Sequence, residues 1–355
     1  MDFVIHLPVI GLFLQFCWYL VEVMIRNGAL ILTLSTPIAL GALCGFMNER
    51  GGVVNIGIEG MMIAAAFAGW FVAGTATSAL GVSTAGPLGI TIPLLLGLVT
   101  ALAAGVLVSA LHAWLSITVR ADQIISGTII NIVTLGVTSY LYLLISQRPP
   151  LPGGNFTALV FPKAVTDIPV IGWIVSTFLE QGPTTLLMII LVIVLQVLLY
   201  RSRWGLRTRA VGEHPRAAET LGIDVIRLRY RNVLLGGLLA GLAGAWFTLD
   251  YGNSFQSGMT NGRGFIALAA LIFGRWTPLG AFGAAILFGV ADALGTAIRQ
   301  SPPTGDLGPF LAAVPEQVFA ALPYLVTIIV LAGVVGRSVA PAADGQPYER
   351  EGGAT

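Results

Sequence analysis

Long apolar runs leave this chain few ways to fold. A bilayer core takes about 20 apolar residues as one helix. Runs of that kind recur at roughly 7–25, 28–47, 56–74, 90–117, 124–145, 184–200, 231–250, 264–274, 278–298 and 318–336. Of the 355 residues, 10% are charged, against about 25% in a soluble domain. The expectation is an all-α polytopic membrane protein with about ten transmembrane or partly re-entrant helices. The run at 264–274 is short and reads as a half-helix or part of a re-entrant element. Gln15 and Glu22 would let the first run lie along the interface instead. No Lys/Arg-rich segment or small-x-small site precedes residue 30, so that run is read as retained. Cys17 and Cys44 lie in apolar runs, as small core residues, with no disulfide framework or metal spacing.

The distribution of arginine sets an orientation. Residues 201–231 hold eight Arg against Glu213, Glu219 and Asp224, a net +5, and are assigned to the cytoplasm. Counting spans outward from there puts Arg50, Arg120, Arg275, Arg337 and Arg350 on the same side. Arg26, Arg148, Lys163, Arg263 and Arg299 fall at or beyond the outer face. Both termini are then cytoplasmic, and residues 146–183 form the largest outer loop. The domain expectation is a single transmembrane domain over residues 1–337. A polar, small-residue tail over 338–355 reads as disordered.

Glycine and proline punctuate the spans. Gly41 with Gly45, and Gly237 with Gly241, are small-xxx-small pairs that let helices approach closely. Pro37, Pro93, Pro278 and Pro323 lie in or beside spans, where neighbours must satisfy any freed carbonyl. Closely packed, broken helices suit a transporter. Trp18, Trp173 and Trp276 lie near span boundaries, as in an aromatic belt, and His112 reads as interfacial.

The stretch NERGGVVNIGIEGMM (48–62) sets Asn48, Glu49, Arg50, Asn55 and Glu59 among glycines between two apolar runs. Gly51, Gly52, Gly57 and Gly60 permit a non-helical or sharply turned backbone. Asn55 and Glu59 lie four apart and share one face if the helix has begun. They are candidates to line a substrate pathway, since an amide and a carboxylate can pair with hydroxyls and base edges. The structural alternative pairs the glutamates with Arg50, or with free N–H groups near a helix start. Asn131 and Asp292, both inside spans, are further pathway candidates, with interhelical bonding as the alternative. The stretch TNGRGFIALAALIFG (260–274) echoes 48–62 through Gly262, Arg263 and Gly264, five spans later. That parity is the one expected of two inverted five-helix repeats.

Within the Arg-rich loop, GEHPRAAETLGIDV (212–225) reads as a short helix, with Pro215 at its first position and Gly222 at its stop. Setting topology needs no such helix, so the segment reads as a docking element for a cytoplasmic partner. The chain has no Gly-x-x-x-x-Gly-Lys-Ser/Thr phosphate loop, and its one lysine is Lys163. Any ATP chemistry must come from elsewhere. The scattered His6, His112 and His214 make no metal or nucleophile arrangement, so a membrane enzyme is disfavoured.

Four stretches in order carry a family resemblance: NERGGVVNIGIEGMM, RADQIISGTIINIVTLGVTSYL (120–141), GLRTRAVGEHPRAAETLGIDV (205–225) and NGRGFIALAALIFGRWTPLGAFGAAILFGVADAL (261–294). From about residue 28 to 337 the chain resembles permease subunits of bacterial ABC importers for branched-chain amino acids, simple sugars and nucleosides. The likeness is strongest to the nucleoside-type subfamily. The resemblance implies a multi-pass protein of the bacterial plasma (inner) membrane that is not itself catalytic. It implies a cytoplasmic ABC ATPase that binds ATP and Mg, so that no cofactor is held by this chain. It also implies an extracytoplasmic substrate-binding lipoprotein, a second permease subunit in a heterodimer rather than a homodimer, and no nucleic acid. The coupling helix of the family falls on Glu213, His214, Pro215, Arg216, Ala217, Ala218, Glu219, Thr220, Leu221 and Gly222. Nucleosides lead as the small-molecule substrate, with simple sugars next. An ion-coupled secondary transporter is the reading from a different class, resting on Glu59 and Asp292 as buried carboxylates.

Overall fold

A computed structural model describes residues 8–81, 86–146, 154–300, 303, 307–315, 318–319, 321–329 and 338–349. Among them no strand occurs. The helices are α1 (Pro8–Arg26), α2 (Gly28–Glu49), α3 (Ile58–Leu80), α4 (Ile92–Ala113), α5 (Gln123–Ser146), α6 (Lys163–Thr166), α7 (Ile171–Phe178) and α8 (Pro183–Arg201). They continue as α9 (Arg203–Glu213), α10 (Pro215–Thr220), α11 (Val225–Ala245), α12 (Arg263–Phe273), α13 (Pro278–Gln300), α14 (Leu307–Ala312) and α15 (Leu322–Ile329). Single π-helical turns extend α4 to Thr118 and α11 to Tyr251.

Seven of these helices are long and apolar enough to cross a bilayer: α2, α3, α4, α5, α8, α11 and α13. The other three runs read as spans fall on α1, on α12, and on a region described mainly as α15. α12 has 11 residues. At 1.5 Å per residue it rises about 17 Å, roughly half of a hydrocarbon core about 30 Å thick.

The chain divides into two compact units, one of residues 1–35, 160–181 and 286–334, the other of residues 36–159, 182–285 and 335–355. In the first unit, Tyr19 and Val23 of α1 pack with Leu294, Ala297 and Ile298 of α13 and Leu311 of α14. Trp173 of α7 donates its indole N–H to Ile25 O at 2.7 Å. Gln181 accepts from Thr33 at 2.7 Å and donates to Thr177 O at 2.8 Å. The expected outer loop 146–183 therefore contains α6 and α7; its residues 147–153 lie outside the described set.

In the second unit, the small-residue pairs act where lipid offers no hydrophobic drive for helix association. A Cβ on Gly41 would lie 2.8 Å from the Ala267 Cβ, and one on Gly45 would lie 2.9 Å from Leu271 Cδ2. α2 and α12 meet along that stripe. α4 and α11 meet over Gly241, where a Cβ would lie 2.9 Å from Ala101 O. α2 continues through Pro37, and α8 starts at Pro183, where a missing N–H costs nothing.

The tail departs from the disorder expected of its composition. Residues 338–349 form an irregular segment packed on the loop 201–231. Ala343 N donates to Gly212 O at 2.9 Å, and Arg229 Nη1 donates to Gln346 O at 2.9 Å. Tyr348 joins Val211, Ala218 and Val225 in an apolar cluster. An aromatic anchor and a buried arginine are among the contacts that hold a segment whose average composition is polar. Residues 350–355 of the expected tail lie outside the described set.

Candidate functional site

α2 ends at Glu49, and no α-helix follows until Ile58. Asn48, Val53 and Asn55 in and beside this stretch are fully buried. Irregular backbone in such a setting must find its partners within the protein. Three side chains from α4 and α5 supply them. Val54 N donates to Gln123 Oε1 at 2.7 Å. Val54 O lies 3.0 Å from His112 Nε2, which selects the tautomer protonated at that nitrogen. Asn131 donates to Ile56 O at 3.0 Å and accepts from Gly60 N at 2.7 Å, which fixes its amide orientation. Asn55 folds onto its own segment, accepting from Gly57 N at 2.9 Å in an Asx turn.

Glu59 stands in the first turn of α3. Its Oε1 accepts from Thr260 Oγ1 at 2.6 Å and Gly262 N at 2.8 Å, and its Oε2 accepts from Gly264 N at 2.6 Å. α12 starts at Arg263, so the carboxylate sits on N–H groups that the start of a helix leaves unpaired. Hydrogen bonds to a charged group contribute about 1.5–3 kcal/mol each. The close approach depends on glycine: a Cβ at Gly264 would lie 2.6 Å from the Glu59 backbone, and one at Gly60 would lie 2.5 Å from Thr134 Oγ1. Gly60 and Gly264 thus lie inside helical first turns and serve packing, so Gly60 does not turn the backbone as its sequence setting suggested. Gly52 (φ 82°) and Gly262 (φ 75°) do hold left-handed turns. Gly51 is pressed against Asn232 Nδ2, and Gly57 (φ −74°) precedes α3.

At the other end of α12, Glu49 accepts from Trp276 Nε1 at 2.6 Å. Arg50 donates from Nε to Trp276 O at 2.8 Å and from Nη2 to Arg275 O at 3.3 Å. The segment 49–59 is therefore bonded to both ends of α12. Arg50 also reaches towards the arginine-rich loop, with Nη1 3.9 Å from Glu213 Oε1. Among the described residues the ion pair of Arg50 is with Glu213, and Glu59 takes the helix-start role instead. Trp276 and His112, read as boundary residues, are buried, and each is bonded to this segment or its edge.

α10 stands on the arginine-rich loop, with His214 at its N-cap and Pro215 at its first position. Gly222 (φ 79°) follows its stop. Ala218 faces inward, whereas Leu221 is 82% exposed. Glu213, His214, Arg216, Ala217 and Thr220 are exposed as well, and Glu219 is half-buried.

Three of the four pathway candidates, Asn55, Glu59 and Asn131, converge on the segment 54–60 in the second unit. Asp292 belongs to the first unit, half-buried on α13. Gln123, His112 and Thr260 are the participants that sequence reasoning missed. Gln123 and His112 carry the faint signal of a lone polar residue near the end of an apolar run.

Residues 28–331 match the family described as branched-chain amino acid transport system / permease component. The chain is 40% identical over 321 residues to the guanosine ABC transporter permease protein NupQ of Bacillus subtilis, covering 89% of this chain and 94% of that one. It is 36% identical to the nucleoside ABC transporter permease protein NupC of Lactococcus lactis, covering 90% and 95%. It is 32% identical to the putative glucose ABC transporter permease protein TsgC13 of Haloferax volcanii, covering 89% and 95%. No solved structure matches the chain.

Proposed function

Because the chain belongs to the branched-chain amino acid transport system permease family, a family of multi-pass ABC permease subunits, we propose that it forms the uptake pathway of an ATP-driven nucleoside importer. It works beside a second, non-identical permease chain. A cytoplasmic ATPase hydrolyses ATP with Mg, and an extracytoplasmic binding protein delivers the substrate. Both termini and the loop 201–231 face the cytoplasm, as the arginine bias requires. The parity of the stretches at 48–62 and 260–274 supports two inverted five-helix repeats, and their meeting at Glu59 is what such a pair allows.

The observation that carries the reading is α10: a capped helix on a strongly basic loop, with Arg216, Ala217, Thr220 and Leu221 turned outward. A topology signal needs charge and no such helix. The substrate class rests on the relatives named for guanosine and nucleosides. The relative named for glucose keeps simple sugars as the second reading. Within the pathway we assign Asn55, Glu59 and Asn131 the role of holding the buried loop 51–57, on which the shape of the passage depends. Their polar atoms bond backbone groups for the most part, with Thr260 Oγ1 and Met61 Sδ as the side-chain partners.

The test is uptake of radiolabelled guanosine by cells carrying the whole transport system. Wild type is compared with a variant whose residues 213–222 are a Gly/Ser linker, with membrane abundance checked by blotting. ATP-dependent uptake that the linker abolishes supports the reading. Uptake that persists in the linker variant refutes the coupling role, and uptake of glucose but not guanosine moves the substrate to sugars.

A further inference from the structure

Behind α10 lies the tail. Tyr348 packs on Ala218, on the inward face of the helix, and its hydroxyl donates to Glu219. Ala342 N donates to Glu213 Oε2 at 3.2 Å, and Ala343 N donates to Gly212 O at 2.9 Å. At the base, Arg229 is buried, donates to Gln346 O at 2.9 Å, and stacks its guanidinium 5.9 Å from the Tyr348 ring centroid. At the far end, Glu349 pairs with Arg120 at 2.6 Å. At the near end, Ser338 donates to Ile272 O at 2.8 Å, on α12. The tail therefore touches the segment before α10, its inward face, the first turns of α11, the end of α4 and the end of α12. It leaves the outward side chains of α10 uncovered, and between the two lies an open cleft of about 660 Å³.

We propose that residues 338–349 are a built-in part of the ATPase-docking element, a strut that fixes the angle of α10 from behind and forms the second wall of the docking cleft. A six-residue helix makes too few internal hydrogen bonds to hold its own orientation. Force arriving on it reaches the membrane helices only if something stiff stands behind it. The tail meets that need, because its bonds run from α10 to Arg229 on α11 and to Ile272 on α12. A cap that silenced the docking element would instead cover Arg216 and Leu221, which stay exposed. This inference rests on the coupling role proposed above for residues 213–222.

The test uses the full importer in proteoliposomes, with ATP hydrolysis and substrate uptake measured together. Deletion of residues 339–355 and Tyr348→Ala are each expected to lower uptake per ATP hydrolysed at least about fivefold. Tyr348→Phe, which keeps the packing and loses one hydrogen bond, is expected to stay within about twofold of wild type. The deletion variant transporting as wild type would overturn the strut, and faster transport would make the tail a cap. If either variant fails to accumulate, a second measurement decides: R120C with E349C, which leaves Tyr348 in place, in a chain carrying C17A and C44A, treated with a short thiol cross-linker. Cross-linking in the assembled, ATPase-bound complex supports the strut; its absence there overturns it. The linker variant of residues 213–222 separates the two ideas. Linker inactive with tail deletion normal refutes the strut alone, whereas a normal linker variant refutes the coupling role itself.

Discussion

Glu59→Ala would remove three hydrogen bonds and strand the N–H groups of Gly262 and Gly264 at a helix start. At about 1–3 kcal/mol for each buried group left unpaired, the loss is roughly 2–6 kcal/mol, a large part of the stability of any domain. Asn131→Leu keeps the volume and orphans Ile56 O and Gly60 N, with a similar expected cost. Both should lower the melting temperature of the detergent-purified protein, and Glu59→Gln should fall between Glu59→Ala and wild type. Were these side chains contacts for substrate alone, the variants would weaken uptake and leave melting unchanged. Their polarity amid apolar runs was legible in the sequence. Their partners were not, because Glu59 bonds Gly264 across 205 residues and Gln123 bonds Val54 across 69. Nothing local in a sequence marks a loop whose backbone is satisfied from that far away.

At the scale of elements, the helix in the loop was readable because its punctuation is local: Pro215 starts it and Gly222 stops it. The tail was not, since its order comes from groups on α10 and α11 rather than from its own composition. Its docking carries a pH signature. Burial pushes the Asp344 carboxyl up to about 7 from its ordinary 3.8, while the Arg229 guanidinium pulls it down. Glu49 is the other charged group acting on this site. A carboxyl whose pKa is raised by docking favours the docked state where it is protonated. Docking is therefore strongest in acid, weakens as pH rises between those two values, and stays weakened above the upper one. Limited proteolysis within residues 338–349 should accordingly be slower near about pH 6 than near about pH 8. Asp344→Asn should flatten that difference, and a tail equally sensitive at both values would remove Asp344 from the docking energetics.

Across the whole molecule, the apolar runs anticipated the positions of the seven bilayer-length helices to within a few residues at most ends. The exceptions are α3, which runs on from 74 to Leu80, and α11, which starts at Val225 because its first turns carry arginines that hydropathy alone assigns to the loop. Hydropathy could not show that the chain forms two compact units, since α2 and α13 each contribute to both. Orientation has a direct check. With Cys17 and Cys44 replaced, K163C should react with an impermeant thiol reagent added outside intact cells, and R216C only after permeabilisation. The reverse pattern would invert the arginine-based topology.

The central claim is that this permease moves its substrate on energy delivered by a partner ATPase through α10. The most direct measurement is nucleoside uptake into proteoliposomes holding the permease pair, the ATPase and the binding protein, with ATP and a protonophore varied independently. Uptake is expected to need ATP on the ATPase side and to be indifferent to the protonophore. Uptake that survives without ATP and collapses when the proton gradient is dissipated would contradict it.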